Sequence, residues 1–304
     1  MSPTQRFFEG ETDYAAMRVL LIDSYALVGP HAYMTVGDLD WWRYTLEDET
    51  AFMPRVALWC EDSRLVGFAW PGKGNADIIV HPQARNAEAA MLAWSEAHLA
   101  APPTEGEPAQ LVTWSFASDQ RRQELLAGRG YVRTGEYYVW HEYDLAGAVP
   151  APGLPPGYGL RHVQGEQEIE ARVAVHRAAF HPSRMTAAKH RAVMASPTYR
   201  PELDLVITAP DGSFAAFCIT WFDATNRVGL FEPVGCHPAH RRRGLATAVM
   251  HEGLRRLHAL GAQRAHVLAW GEKGGGAQLY PSAGFAVIDR IEGWRAVFAD
   301  ARIA

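Results

Sequence analysis

Cysteine is scarce in this chain. Three occur in 304 residues, Cys60, Cys218 and Cys236, far apart and each in an apolar, strand-like context. That spacing excludes a disulfide framework and offers no zinc cluster, so the thiols are expected to be reduced and buried. A surplus of positive charge is missing too. Against 34 Asp and Glu stand 29 Lys and Arg, a net charge of −5, and no extended basic face is available for nucleic acid. No apolar run reaches the roughly 20 residues a membrane-spanning helix needs. The stretch Met1–Glu9 lacks the apolar core of a signal peptide, which makes the cytoplasm the expected setting. Zinc-ligand spacing, the dinucleotide-binding Gly-x-Gly-x-x-Gly and the Gly-x-Ser-x-Gly nucleophile elbow are also absent.

What is present is a globular composition, 48% hydrophobic and 21% charged, with length enough for two domains. The Pro/Gly-rich residues 146–157 read as a stiff linker at the midpoint, dividing the chain into domains 1–145 and 158–304. In the second half a strand over Tyr158–Val163, helices over Glu166–Phe180 and Thr186–Met194, and strands Leu203–Thr208 and Phe214–Trp221 follow in turn. Arg227–Val234 is the next strand. Leu245–Leu260, with apolar residues at 245, 249, 254, 257 and 260, is a helix stopped by Gly261. Arg264–Trp270 is a strand, Gly276–Ala283 a short helix, and Phe285–Asp289 with Trp294–Phe298 a closing pair.

Between the strand and the long helix lies Cys236-His237-Pro238-Ala239-His240-Arg241-Arg242-Arg243-Gly244-Leu245-Ala246. A helix start offers unpaired backbone N–H groups and the positive end of the helix dipole. Gly244 lets the backbone approach an anion closely, and Arg241, Arg242 and Arg243 add donors suited to phosphate.

The chain here resembles the GNAT acyltransferase superfamily. The family's pyrophosphate loop, Arg/Gln-x-x-Gly-x-Gly/Ala, is matched by Arg241-Arg242-Arg243-Gly244-Leu245-Ala246. Its later Leu-Tyr-x-x-x-Gly-Phe is matched by Leu279-Tyr280-Pro281-Ser282-Ala283-Gly284-Phe285, with Ala246 and Pro281 35 positions apart. The resemblance implies an α/β fold of two tandem GNAT-like domains, each a mixed, largely antiparallel sheet with helices on both faces. It implies acetyl-CoA as co-substrate, no metal, and an amine acceptor expected to be a small molecule. The pantetheine arm would pair with exposed backbone of the strand before the loop. Pro233, which has no N–H for a ladder, marks where pairing fails, so Val234 and Cys236 become the backbone partners. Glu232, at the end of an apolar strand, is the candidate base, since partial burial raises a carboxylate towards a useful value. Tyr280 matches the tyrosine with which the family protonates the departing thiolate. Lys273 stands where many relatives have a CoA-contacting Asn, and is a candidate for a CoA phosphate. Trp41, Trp42, Tyr44, Trp221, Phe222 and Trp270 are candidates to line the acceptor cleft, and Asp40, Asp204 and Asp223 to attract a basic acceptor.

The first half repeats this order. Tyr14–Leu27 is helical, a less regular stretch carries Asp40–Tyr44, and Arg55–Cys60 with Arg64–Trp70 form a hairpin. Asp77-Ile78-Ile79-Val80-His81-Pro82 matches the strand ending in Cys236-His237-Pro238, Ala87–Ala100 the long helix, and Gln110–Trp114 the strand ending at Trp270. Glu124–Tyr131 aligns with Gln278–Phe285 without a gap. Its loop, Arg85-Asn86-Ala87-Glu88-Ala89-Ala90, is shorter, has no glycine and sets Glu88 where a phosphate would lie. A carboxylate there repels pyrophosphate, and Leu126 replaces Tyr280. The expectation is one active domain and one that has lost its cofactor site. Two rival readings remain: an acyl-CoA-binding protein without chemistry, and a tandem acetyltransferase of the mycothiol-synthase kind.

Overall fold

The turn at Asp62-Ser63 shows how local chemistry sets the frame. Both residues take left-handed backbone angles, φ 47° and 69°, which a two-residue turn between right-twisted strands demands. In the computed structural model, which describes residues 3–102, 108–272 and 274–298, the chain is a mixed α/β protein. It runs β1 (Thr4–Phe7), α1 (Glu11–Val28), α2 (Val36–Tyr44), α3 (Glu49–Phe52), β2 (Ala57–Glu61), β3 (Arg64–Pro71), β4 (Ala76–Val80), α4 (Glu88–Leu99), β5 (Ala109–Phe116), α5 (Gln120–Gly128) and β6 (Val132–Asp144). Residues 146–157 form neither helix nor strand. Then come β7 (Gly159–His162), α6 (Ile169–Ala179), α7 (Ala187–Met194), β8 (Asp204–Thr208), β9 (Phe214–Asp223), β10 (Val228–Cys236), α8 (Leu245–Ala259), β11 (Arg264–Trp270), α9 (Gly275–Ser282) and β12 (Ala286–Phe298).

By packing, the chain falls into two compact units. One comprises residues up to Met34, Asp48–Val139 and the segment from Asp289; the other comprises Thr35–Glu47 and Trp140–Ile288. In the first unit β1, β2, β3 and β4 form an antiparallel sheet in that order. Strand β5 pairs antiparallel with β12 from Phe116–Ile291 to Ala109–Phe298. Trp59, Val66, Ile78, Met91, Leu111 and Trp294 belong to the buried cluster of this unit.

In the second unit β7, β8, β9, β10 and β11 lie in sequence order. Among these five strands the pairings are antiparallel except the parallel pair β10–β11. Strand β9 is buried along its whole length, the signature of a central strand covered on both faces. Helix α8 covers one face with Leu245, Val249, Leu254 and Leu257, all buried. Close approach is possible because Gly229 and Gly253 have no side chain: a Cβ at Gly229 would fall 2.4 Å from Leu257, and one at Gly253 2.7 Å from the Phe231 ring. On α6, Val175 packs with Phe214 and Phe217 of β9.

The internal repeat extends to single hydrogen bonds. Arg6 holds Asp13 through two nitrogens while Glu9 N–H donates to Asp13 at 2.8 Å. Seven residues likewise separate Arg161 from Glu168, and Gln164 N–H donates to Glu168 at 2.8 Å. His81 Nδ1 accepts from Gln83 N–H at 3.2 Å, and His237 Nδ1 from Ala239 N–H at 3.2 Å. Gly130 and Gly284, at φ 84° and 94°, end α5 and α9 with matching bonds from Tyr131 N–H to Leu126 and Phe285 N–H to Tyr280, both 3.0 Å.

Three expectations change. The stretch around Asp40–Tyr44 is a regular helix, α2, opened by a capping box in which Thr35 and Asp38 exchange hydrogen bonds. The closing pair is one continuous strand, β12. Two strands, β1 and β6, are additional. The first is four residues long and the second is exposed over much of its first half, so neither carries a strong apolar pattern.

Candidate active site

The opening expected at Pro233 is present. Strand β10 pairs with β11 only over Val228–Phe231, ending at Phe231–Val267. On its other side it pairs with β9, with an irregularity between Phe231 and Val234 and regular register again over Val234–Cys236. Glu232 and Pro233 are the residues the irregularity skips. Trp221 replaces the lost ladder bond: its indole N–H donates to the Glu232 carbonyl at 2.6 Å. Beyond Phe231, the edge of Val234 and Cys236 turned away from β9 has no paired strand among the described residues. Such irregularities re-aim side chains next to functional sites.

At the end of β10, His237 caps a short turn and the chain passes through Arg242 at φ 64° and Gly244 at φ 76° into α8. A Cβ at Gly244 would meet nothing within 4 Å. Glycine is therefore required there by backbone angle rather than by crowding. Arg241 reaches the Ala179 carbonyl at 3.2 Å. Arg242 and Arg243 are exposed, with no side-chain partner among the described residues. The first N–H groups of α8, at Leu245, Ala246 and Thr247, have no side-chain cap. Two free guanidinium groups above an uncapped helix start fit a diphosphate. Lys273 lies outside the described residues.

Glu232 and Tyr280 share one environment. Glu232 is half-buried, and its carboxyl is pushed up to about 8, first by burial and then by the Asp38 carboxylate. Asp38 is itself pushed up by burial to about 6, although Thr35 donates to it through both backbone and hydroxyl. The Tyr280 phenol is raised by burial and by Glu232, so it stays protonated well above neutrality. Its ring lies against Gly276, where a Cβ would fall 2.7 Å away, and edge-on to His141 at 5.4 Å. Gly276, in the first turn of α9, thus seats the tyrosine. Asp38 is the residue that sequence reading missed. The signal was there, a Thr35-x-x-Asp38 capping box beside Gly37, which packs directly on Trp221 and Leu230.

Most of the other acceptor candidates have structural partners. Asp40 is fully buried and accepts from the Thr198 N–H and hydroxyl. Asp204 is buried against Arg172 at 2.9 Å and His190 at 3.2 Å. Asp223 caps the Thr225-Asn226 turn. Trp221 and Phe222 are buried, Trp41 stands 6.2 Å from His176, and Trp270 is largely exposed. Trp42 and Tyr44 are half-buried on α2. Among the described residues no group of His, Cys, Asp or Glu is arranged to hold a metal, and no helix is long and apolar enough to cross a membrane.

Residues 169–285 match the model of the acetyltransferase (GNAT) family. The chain is 31% identical over 242 residues to a mycothiol acetyltransferase of Kineococcus radiotolerans, covering 74% of this chain and 76% of that protein. It belongs to the GNAT acetyltransferases. A mycothiol acetyltransferase of Sanguibacter keddieii is 28% identical over 229 residues, 71% of each chain. Among solved structures, a GCN5-related N-acetyltransferase from Sphaerobacter thermophilus superposes with a TM-score of 0.67 at 21% identity, covering 99% of this chain and 98% of that one. A tandem GNAT protein of the clavulanic acid biosynthesis pathway superposes at 0.62 and 16% identity, covering 97% and 98%. The protein is thus an N-acetyltransferase of a family that uses acetyl-CoA, and its fold is shared by a tandem GNAT protein.

Against that family pattern, the first unit is filled from within. An isolated parallel bridge, Asn75–Val112, joins β4 to β5 before they part. Into the opening reaches Arg122, which donates to the Ile78 carbonyl of β4 at 2.9 Å and the Trp114 carbonyl of β5 at 3.4 Å. Its Nε binds Glu88 at the start of α4, and Arg85 binds Glu88 at 2.7 Å and Asp119 at 2.9 Å. Backbone and helix start, the two elements that would greet a cofactor, are both occupied by the chain's own side chains.

Proposed function

We propose that the second unit is the transferase. In this reading its open β10 edge at Val234 and Cys236 receives the pantetheine arm. Arg241, Arg242, Arg243 and the N–H groups of Gly244, Leu245 and Ala246 hold the diphosphate, with Lys273 available to a further phosphate. One observation carries this reading: Glu232, raised by burial and by Asp38, and Tyr280, raised by burial and by Glu232, lie where β10 parts from β11, in the unit whose α8 starts without a side-chain cap. Transfer to an amine needs the amine neutral, the thioester carbonyl polarised and the leaving thiolate protonated. Glu232, near 8, takes a proton from the incoming ammonium directly or through water. The raised Tyr280 phenol gives one to sulfur. Asp38, held by Thr35, keeps Glu232 basic and adds negative charge where a cationic acceptor would enter.

The acceptor proposed is the amine of a small molecule. Similarity to mycothiol acetyltransferases over 242 residues favours, as a second reading, acetylation of the des-acetyl form of mycothiol. Release of free CoA from acetyl-CoA, followed over a panel of small amines that includes des-acetyl mycothiol, tests both. Turnover with no amine would leave a binding protein without chemistry. Residues 1–145 and 158–304, joined by 146–157, are proposed as the ancestral repeats, the first now without a cofactor site. A cytoplasmic setting goes with this reading, as three free cysteines suit a reducing compartment.

A further inference from the structure

The geometry points to a second small-molecule site, wholly inside the first unit, for a small carboxylate with an apolar body. A cavity of about 340 Å³ lies among the last turns of α1, the carboxyl end of β4 and the start of α5, within the size range of ligand pockets. Leu21, Val28, Ile79, Val80 and Phe116 give it an apolar wall. Its polar residues are Ser24, His31, Tyr33, Arg85, Ser118 and Asp119.

The hydrogen-bond inventory of Arg85, Asp119 and Ser24 selects the ligand. Asp119 is saturated: it accepts from Arg85 Nη2, from the Arg122 N–H at 3.1 Å and from the Tyr33 hydroxyl at 2.8 Å. Those bonds hold it below the usual carboxylate range, although burial alone would raise it. Arg85 has committed Nε to Glu88 and Nη2 to Asp119, while Nη1, with two N–H groups, has no partner among the described residues. Ser24 lines the cavity from α1, is only 4% exposed, and its hydroxyl has no hydrogen-bond partner among the described residues. The Asp119 carboxylate has its acceptor sites filled, the Ser24 hydroxyl can donate or accept, and the Arg85 Nη1 N–H groups can only donate. A ligand must therefore bring acceptor oxygens, and the cationic, carboxylate-clamped Arg85 fork favours an anionic pair of them. Because Arg85 is already fixed on two sides, little further ordering opposes binding. Acetyl-CoA does not fit this description, since Arg122 and Glu88 fill its slot and the cavity lies on the α1 side.

Phenylacetate serves as the probe. Titrated calorimetrically into the full chain saturated with acetyl-CoA, it should bind once per chain, and uncharged 2-phenylethanol should bind at least tenfold more weakly. Arg85→Gln should weaken phenylacetate roughly 10- to 100-fold, the worth of a hydrogen bond to a charged group. That variant disturbs a buried network. Ser24→Leu and Val28→Trp, which leave the network alone and fill the cavity or its mouth, should abolish binding while acetyl-CoA binding is unchanged. No saturable binding, equal affinity for 2-phenylethanol, or unaltered binding in both filled variants would overturn the assignment. Because the readout is binding rather than turnover, the result is independent of the transfer reaction.

Discussion

Replacing Glu232 with Gln keeps the shape of the side chain and removes its titration. With the carboxyl near 8, about one enzyme molecule in ten carries the ionised base at pH 7. The rate constant kcat/KM should therefore rise about tenfold from pH 7 to a plateau above pH 9. In Glu232→Gln that limb should vanish, and the plateau rate should fall roughly 100- to 10,000-fold, the usual worth of a positioned general base. The same group affects stability with a definite sign. Its folded-state value lies above the ordinary 4.5, so the fold favours the protonated form. Stability held by that form is complete below about pH 4.5 and is lost as pH rises to about 8, at up to about 1.4 kcal/mol per pH unit. Glu232→Gln should thus match the wild type in Tm at pH 4.5 and exceed it at pH 9. The assay is free-thiol detection of CoA under single-turnover conditions, paired with calorimetric melting at the two pH values. A wild-type profile whose alkaline limb survives intact in Glu232→Gln would refute the assignment, since the titrating group would then be the acceptor amine alone.

Tyr280→Phe should retain Tm and acetyl-CoA affinity, because the ring still packs on Gly276, while kcat falls roughly 100- to 10,000-fold; undiminished single-turnover rates would make Tyr280 a packing residue. Arg242→Ala should weaken acetyl-CoA binding about tenfold or more with little change in Tm, whereas an unchanged Kd would remove the loop from the cofactor site. Calorimetry should find one acetyl-CoA per chain, and two equivalent sites would contradict the filling of the first unit by Arg122 and Glu88. Arg122→Met should cost about 3–5 kcal/mol in denaturant unfolding, because it leaves buried Glu88 with a single partner.

The element order of the second half was legible because its signals are local. The apolar spacing of α8 and the Arg241–Ala246 loop each state their structure within a few residues. The stopping point of the β10–β11 pair was legible for the same reason, since Pro233 cannot donate to a ladder. Grouping of 35–47 and 289–298 with segments distant in sequence was not, because it depends on long-range packing that no local pattern encodes. Asp38 stayed hidden as a neighbour of Glu232: sequence shows its capping box but not what the helix packs against. The acidic residues Asp40 and Asp204 misled in the opposite way. Their type suggests a cationic ligand, while their burial commits them to Thr198 and Arg172.

The network of Arg85, Glu88, Arg122 and Asp119 bears on what this chain can become. Glu88 and Arg122 are buried and neutralise each other, with Arg85 and Asp119 completing the network at its half-buried end, so neither Glu88 nor Arg122 can be removed alone without leaving a buried charge short of its partner. A phosphate site in the first unit would need Glu88 removed, Arg122 withdrawn and a glycine introduced together, and removing Glu88 or Arg122 alone would leave its buried partner uncompensated. On the proposed reading that the first unit has lost a cofactor site, this network acts as a ratchet: drift can modify the unit's surface, while its interior resists a return to cofactor binding.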